Sequence, residues 1–530
     1  MPEDHASMTY HATLGATQLE SLPQHFNAAT DLLDHNLLAG RGSKPAYVDD
    51  RGVWTYDQLS ERVDRVGALL QDLGVAREQR VLLCLQDDID FPSLFLGAMK
   101  AGVVPIPVNT LFGKDDYVYL LQDSRARVAF VSAALAPVFT EVLSLCPDLL
   151  AVVVSGDGPD ELEVRLRAAQ PVPAAAATCR DEAAFWLYTS GSTGRPKGVV
   201  HTHGSLRLTA SLYGLPVMGV REEDVVFSVA KLFFAYGLGN ALTFPLAAGA
   251  TTVLLRDRPT PQAVRALLAA QSVSVLCAAP TFFAGFLSDE RAPRRADLPN
   301  LRIATSAGEA LPEALGSAFT DRYGVEILDG LGSTEMLHIF LSQRAGAVRY
   351  GVTGKPVPGY ELRIVDEQGR ICADGELGDL QVRGPTAAAC YWNNRPKTRD
   401  TFLGDWTQTG DKYARDAEGW YRYAGRRDDM LKVSGIYVSP FDVEEALAAH
   451  PAVLEAAVVG WPDANGLMKI RAFVVCRDPG EANDDLARAL QAHVKSRLAP
   501  HCYPRSVEFR TDLPKTATGK LQRYLLREGH

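Results

Sequence analysis

Residues 188–198 read Tyr-Thr-Ser-Gly-Ser-Thr-Gly-Arg-Pro-Lys-Gly and directly follow the apolar run Phe185-Trp186-Leu187. Four aliphatic hydroxyls, three glycines and one lysine fall within these eleven residues. A strand ending in such a loop presents amides and hydroxyls to an anion, and Lys197 adds positive charge. Glycine lets the backbone approach oxygen atoms closely, and successive amides form an anion-binding hollow. The chemistry implied is the holding of a nucleotide or polyphosphate. The stretch is not a Walker A loop, which requires Gly-Lys-Ser/Thr at its end; here Pro196 precedes the lysine and Gly198 follows it. Nor is it a Gly-x-Ser-x-Gly nucleophile elbow, because Ser190 stands two residues before Ser192. A flexible surface loop would explain the glycines, but not a lysine set between Pro196 and Gly198-Val199-Val200.

Four further stretches occur downstream in order: Gly330-Leu331-Gly332-Ser333-Thr334-Glu335, Gln408-Thr409-Gly410-Asp411, Tyr423-Ala424-Gly425-Arg426-Arg427-Asp428-Asp429, and Pro514-Lys515-Thr516-Ala517-Thr518-Gly519-Lys520. With residues 188–198 they resemble the AMP-forming acyl-CoA synthetase superfamily of adenylating enzymes over roughly residues 25–528. Longer segments resemble the benzoate-CoA ligases within it: Ala230 to Asn240, Ser333 to Ser342 and Leu431 to Pro440.

The resemblance implies a two-step reaction. A carboxylate attacks the α-phosphorus of ATP, giving an acyl-adenylate and pyrophosphate, and the thiol of coenzyme A then displaces AMP. Such chemistry needs positioning and charge neutralisation more than covalent catalysis. By the resemblance, Ser190, Gly191, Ser192, Thr193, Gly194 and Lys197 cradle the β- and γ-phosphates, Thr334 contacts the α-phosphate, and Glu335 is a ligand of Mg²⁺, an ion that takes hard oxygen ligands and keeps several waters. Gly308, Glu309 and Ala310, with Asp329, Gly330 and Leu331, correspond to adenine-contacting segments; Asp411 is placed for ribose hydroxyls and Arg426 to help hold the nucleotide. Lys520 is the expected catalytic lysine, its ammonium stabilising charge that develops during adenylation. Lys515 competes with it by composition alone, and the Thr-Gly-Lys pattern favours Lys520. Asp428 resembles the hinge about which a small lobe turns after adenylation, bringing Lys432 to Val438 to the site with Gly435 on the coenzyme A passage.

Phe234, Ala235, Tyr236, Ala307, Gly332, His338 and Ile339 resemble acyl-pocket positions of benzoate ligases. A narrow aromatic pocket suits a flat ring. His338 is placed to hydrogen-bond the substrate carboxylate, with a satisfied core histidine as the alternative. Thr305 departs from a serine common in the family, which leaves open 2-aminobenzoate or a hydroxybenzoate. Two other readings stand beside the ligase: a stand-alone adenylation enzyme loading a carrier protein, and a non-catalytic nucleotide or acyl sensor. The lack of an aspartate in Phe233 to Tyr236 speaks against an amino-acid substrate, and retention of Lys197, Glu335 and Lys520 speaks against the sensor.

The elements that must position these residues follow from periodicity. Thr55 and Gln58 form a capping box, Leu59, Val63, Val66, Leu70 and Leu73 recur at helical spacing, and Gly74 ends the helix. Strand-like runs are Val81–Leu85, Val104–Val108, Val128–Val131, Ala151–Val154, Val225–Val229, Thr251–Leu255, Val273–Cys277 and Leu301–Ala304, with a helix at Phe91–Lys100. Such alternation predicts an α/β architecture with largely parallel sheets and ligand loops at strand C-termini. Turns become denser after about residue 345, predicting a small β-rich subdomain. From Asp428 the chain reads as a small, mobile α+β lobe: Ser439 caps a helix with Pro440 at its first position, strands Leu454–Val459 and Ile470–Val475 follow, then a helix Asp484–Leu498. The expected organisation is a poorly ordered N-terminus over 1–24, an adenylating domain over 25–427 that includes the β-rich part at 345–427, and a C-terminal lid over 428–530 carrying the catalytic lysine.

A chain of 530 residues exceeds one ordinary core, and its net charge of −10 argues against a general nucleic-acid binder. Eight scattered cysteines without a Cys-x-x-Cys suit a reducing cytoplasm. No metal-ligand spacing stands out; His201-Thr202-His203 reads as structural or solvent-facing. The polar start Met1 to His5 reads as lacking a signal peptide, no apolar run is long enough to span a membrane, and Arg527 to His530 does not read as a Ser-Lys-Leu address. The expected co-substrates and cofactor are ATP, coenzyme A and Mg²⁺, the expected partner is a small aromatic carboxylate, and a homodimer or an acyl carrier protein is left open.

Overall fold

The computed structural model describes residues 21–156, 161–189, 195–289, 291–433, 436–462, 468–499, 502–515 and 521–527. The expectations for Ser190, Gly191, Ser192, Thr193, Gly194, Gly435 and Lys520 lie outside them.

Two largely parallel sheets form the frame. The smaller runs in the order Val104–Pro107, Arg80–Cys84, Val128–Ser132, Ala151–Ser155, all parallel. The larger has nine strands, with a parallel interior ordered Ile327–Gly332, Ile303–Ala307, Val275–Ala278, Val225–Ser228, Thr251–Val253, Pro45–Asp49. Antiparallel strands flank it at both edges, Ile339–Ser342 with Lys355–Pro356 on one side and Gly52–Thr55 on the other.

The helix Tyr56–Asp72 starts at the capping box read from the sequence: Thr55 accepts from the Gln58 amide, and the Gln58 side chain accepts from the Thr55 amide. Its apolar stripe, with Leu59, Val63, Val66 and Leu70 all buried, packs on the helix Asp90–Lys100, every residue of which is buried. The same core takes in Phe185 and Leu187, which lead into the phosphate-type loop, and Leu232 and Phe233, which lead to the expected acyl pocket. Packing therefore fixes the stems of both loops.

Several strands shift by one to three residues from their sequence expectations, and one shift bears on the site. The run Leu301–Ala304 predicts a strand that stops before Thr305, yet the strand is Ile303–Ala307. Thr305 and Ser306 are both fully buried. A central strand covered on both faces is held by its ladder, so small hydroxyl side chains do not end it.

Three antiparallel strands, Ala183–Thr189, Lys197–Thr202 and Cys390–Tyr391, form a separate small sheet. The β-rich part pairs Glu361–Val365, Gly378–Arg383, Trp406–Arg415 and Phe402–Leu403, with Tyr421–Arg426 beside Trp406–Arg415. The C-terminal domain is α+β: a sheet of Val453–Pro462, Met468–Cys476 and Ser506–Phe509 carries the helices Pro440–Ala448 and Asp484–Arg497. Ser439 caps the first of these by accepting from the Asp442 amide.

Gly97 marks a close approach of the helices Tyr56–Asp72 and Asp90–Lys100. A methyl there would run into the Val66 side chain and lie 2.9 Å from the Val63 carbonyl oxygen. Gly97→Ala is predicted to destabilise the protein by about 1–3 kcal/mol through overpacking, read as a lower urea midpoint. An unchanged midpoint would show that the two helices separate freely.

Candidate active site

Four neighbouring parallel strands of the large sheet, Val225–Ser228, Val275–Ala278, Ile303–Ala307 and Ile327–Gly332, end at one edge. The segments leaving them, loops and the first turns of the helices Ala235–Leu238 and Pro280–Ser288, carry Phe234 to Tyr236, Thr281, Gly308 to Ala310, and Ser333 to His338. Ligands of open parallel sheets sit outside the carboxyl ends of the strands, so the fold gathers Phe234 to Tyr236, Gly308 to Ala310, and Thr334, Glu335 and His338 at one edge.

The small antiparallel sheet brings Lys197 to this edge. Lys197 lies in register with Thr189, and the strand Cys390–Tyr391 pairs on the other side through Tyr391 and Val199. The Lys197 ammonium sits 5.0 Å from the centre of the Tyr391 ring. The Tyr391 hydroxyl donates to Oε1 of Glu335 at 2.6 Å, and the Ala388 amide donates to the Glu335 carbonyl at 2.8 Å. Burial lowers the Lys197 pKa, with Lys397 and Arg426 adding to the effect and Glu335 opposing it. Thr334 is tied to the same sheet: its carbonyl oxygen lies 2.8 Å from Nε2 of His201.

Asp411 and Arg426 are cross-strand neighbours. Arg426 Nη1 donates to Asp411 Oδ1 at 2.9 Å and to the Thr409 carbonyl at 3.3 Å. The carboxylate is almost fully buried while the guanidinium is half-exposed. Asp411, followed by burial, is the main influence on Arg426, and the net effect raises its pKa. Glu309 accepts from the Thr281 hydroxyl at 2.7 Å. Asp329 is buried, and burial drives its pKa well up against the Ser306 hydroxyl and the Gly330 and Leu311 amides. A shallow crevice beside it is lined by Ala310, Leu311, Thr353 and Tyr423, with Phe441 and Glu445 of the helix Pro440–Ala448 on its far side. Asp428 lies in the turn Arg427–Asp429 and Lys432 in the strand Leu431–Val433.

The residues resembling an acyl pocket also meet. Tyr236 and Thr305 share a hydrogen bond of 2.8 Å between their hydroxyls. His338 is packed among the rings of Tyr213, Tyr236 and Phe244, at centroid distances of 5.3, 5.5 and 4.6 Å. Its Nε2 lies 3.3 Å from the Tyr236 carbonyl oxygen, while Nδ1 is buried with no hydrogen-bond partner among the described residues. Gly239 and Gly332 make room for it: a methyl on Gly239 would lie 2.6 Å from Nε2, and one on Gly332 would lie 2.6 Å from the His338 carbonyl oxygen. Ala307 and Ile339 are buried in the core cluster behind.

Of the two roles read for His201 and His203, structural or solvent-facing, the structural one holds: both are buried, and His201 stacks on Phe185 at 5.2 Å. One residue of the site was missed by the sequence reading. Tyr391 belongs to no motif read from the sequence. Its only signal is the aromatic pair Tyr391-Trp392 soon after Gly384-Pro385, and its contacts depend on a strand pairing between residues far apart in sequence.

Residues 35–392 match the AMP-binding enzyme family, and residues 442–520 match the AMP-binding enzyme C-terminal domain. The chain belongs to this family. It is an adenylate-forming acyl-CoA synthetase, an AMP-forming acid-thiol ligase, and the activity common to this class uses ATP and coenzyme A. It is 56% identical to a benzoate–CoA ligase of Thauera aromatica over 509 residues, covering 96% of each chain. Among solved structures it resembles a benzoate CoA ligase from Burkholderia xenovorans LB400, with TM-score 0.89, 53% identity, and 95% of this chain and 100% of that chain covered. It also resembles the anthranilate CoA ligase AuaEII in complex with anthranoyl-AMP, with TM-score 0.92, 41% identity, and 96% of this chain and 98% of that chain covered. Among the described residues no helix of this synthetase is long and apolar enough to cross a membrane, and no group of three or more His, Cys, Asp or Glu could hold a metal.

Burial holds the imidazoles of His201 and His203 down at about 4 and that of His338 at about 3. All three are therefore neutral in the folded enzyme near pH 7. The pKa of an unfolded histidine is about 6.5. Each thus contributes stability above that pH which is lost as pH falls towards the folded value. Nitrogen-labelled imidazole spectra are predicted to show all three neutral between about pH 8 and 5.5. A titration of His338 near 6.5 would contradict the site's enclosure.

Proposed function

We propose that this synthetase activates benzoate, or a benzoate carrying a small polar ring substituent, as the acyl-adenylate and transfers it to coenzyme A. The observation that carries the reading is the cluster of rings beside the sheet edge, in which His338 packs on Tyr236, Tyr213 and Phe244, four residues after Thr334 and three after Glu335 in the chain. Ring faces favour a flat ring over a flexible chain. The hydroxyl pair Tyr236–Thr305 supports tolerance of an amino or hydroxyl group, since each hydroxyl keeps further capacity to donate or accept.

In this reading Lys197 and the loop before it neutralise the β- and γ-phosphates, and Thr334 orients the α-phosphate. Asp411, held in place by Arg426, accepts from the ribose hydroxyls. The crevice beside Asp329 and Ala310 takes the adenine. Nδ1 of His338 faces the acid as a neutral donor or acceptor. Lys520 stabilises the charge of the adenylation transition state. Asp428 is the hinge for the exchange of half-reactions, after which Lys432 and Gly435 line the thiol's passage. A single half-buried carboxylate, Glu335, with one oxygen held by Tyr391, fits Mg²⁺, which takes one or two protein carboxylates together with water and substrate phosphates. Bound there, the ion would neutralise phosphate charge. The eight unpaired cysteines support a reducing, cytoplasmic setting.

The test is pyrophosphate and AMP release from Mg-ATP with benzoate, 2-aminobenzoate, 3- and 4-hydroxybenzoate, cinnamate and octanoate, with and without coenzyme A. Turnover that depends on coenzyme A with one of the benzoates is expected; turnover only with octanoate would overturn the reading of an aromatic acid. Lys520→Ala is expected to slow adenylation roughly 10²- to 10³-fold, the scale for a lost transition-state donor. Thioester formation from supplied benzoyl-AMP should then remain near the wild-type rate. Equal loss in both steps would remove Lys520 from its assigned role.

A further inference from the structure

Lys197 and Glu335 carry opposite charge, reach the same edge of the sheet and influence each other electrostatically. In a half-buried setting such a pair tends to collapse into contact, because the attraction is stronger than in water. Here one side chain stands between them. The face of the Tyr391 ring receives the Lys197 ammonium, and the hydroxyl of the same ring donates to Glu335 Oε1. Tyr391 is itself almost fully buried, packs on Phe402 at a centroid distance of 5.5 Å, and has its amide held by the Thr398 hydroxyl at 3.0 Å. Its strand is fastened on both sides, by the Trp392 amide to the Gly198 carbonyl at 2.8 Å and by the Ala388 amide to the Glu335 carbonyl at 2.8 Å.

We propose that Tyr391 is a positioning residue that holds Lys197 and Glu335 apart, so that the lysine stays available to the phosphates of ATP and the carboxylate to a divalent cation. The ring face satisfies the ammonium without neutralising it. The hydroxyl occupies one carboxylate oxygen, so the other is the one left to a cation. The proposal rests on the reading of Glu335 as a metal ligand.

Two substitutions separate the two contacts. Tyr391→Phe keeps the spacer and the ring face but removes the donor to Glu335; Tyr391→Leu removes both and lets Lys197 meet Glu335 directly. Binding of Mn²⁺ is measured by electron paramagnetic resonance in the presence of α,β-methylene-ATP. Binding of that analogue without metal is measured by calorimetry. The Phe variant is expected to weaken Mn²⁺ binding roughly tenfold, the scale of a hydrogen bond to a charged group, with metal-free analogue binding and melting temperature unchanged. The Leu variant is expected to weaken metal-free analogue binding as well, by several-fold. Unchanged Mn²⁺ binding in the Phe variant overturns the proposal, and so does metal-free binding in a folded Leu variant that matches wild type. If the Leu variant does not fold, the Phe variant decides. Glu335→Gln is run in parallel. If it weakens Mn²⁺ binding and Tyr391→Phe does not, the positioning role alone fails; if Glu335→Gln changes nothing, the metal reading and this proposal fail together.

Discussion

The arrangement of this enzyme depends on one geometric constraint: four adjacent parallel strands must end at a common edge. Parallel pairing points every strand the same way, so each crossover delivers its loop to the same side. The loops after Ser228, Ala278, Ala307 and Gly332 are therefore neighbours in space although they span more than a hundred residues of chain. On the proposed reading, aromatic acid, adenine and phosphate are handled by adjacent loops. The reaction needs the acid and the α-phosphorus together, and the sheet supplies that proximity before any ligand binds.

The second requirement is charge. An adenylating site must hold an anionic nucleotide and an anionic acid at once, which calls for cations kept free of internal partners. The two cations differ in this respect, and only Lys197 is kept off a carboxylate. Arg426 is committed to Asp411 across two strands, which fixes the carboxylate in a rigid ladder. Lys197 is seated on a ring rather than on a carboxylate. The strand Cys390–Tyr391, which lies at the junction with the β-rich part, makes that seating possible.

Local signals in the sequence were legible where chemistry and backbone agreed. The capping box at Thr55, the cap at Ser439 and the alternation of strands and helices all appear in the structure because each depends on neighbours a few residues away. Lys197, Thr334, Glu335, Asp411 and Arg426 could be singled out because their motifs resemble a known family. The strand Ile303–Ala307 was misjudged at its end, since burial on both faces removes the need for an apolar pattern. His201 and His203 follow the lysine in sequence, but their burial depends on Phe185 and on long-range packing that spacing does not encode. Tyr391 could not be read at all, because its role depends on strands that are paired across nearly two hundred residues.

The central claim is that acid and nucleotide share one continuous site at the sheet edge. A non-hydrolysable mimic of the intermediate, benzoyl-sulfamoyl-adenosine, tests it directly by steady-state inhibition. If the two halves are contiguous, the mimic competes with both ATP and benzoate and binds far more tightly than either, because joining two ligands makes the second contact intramolecular. Competition with ATP while the apparent KM for benzoate stays unmoved would place the acid elsewhere and contradict the account.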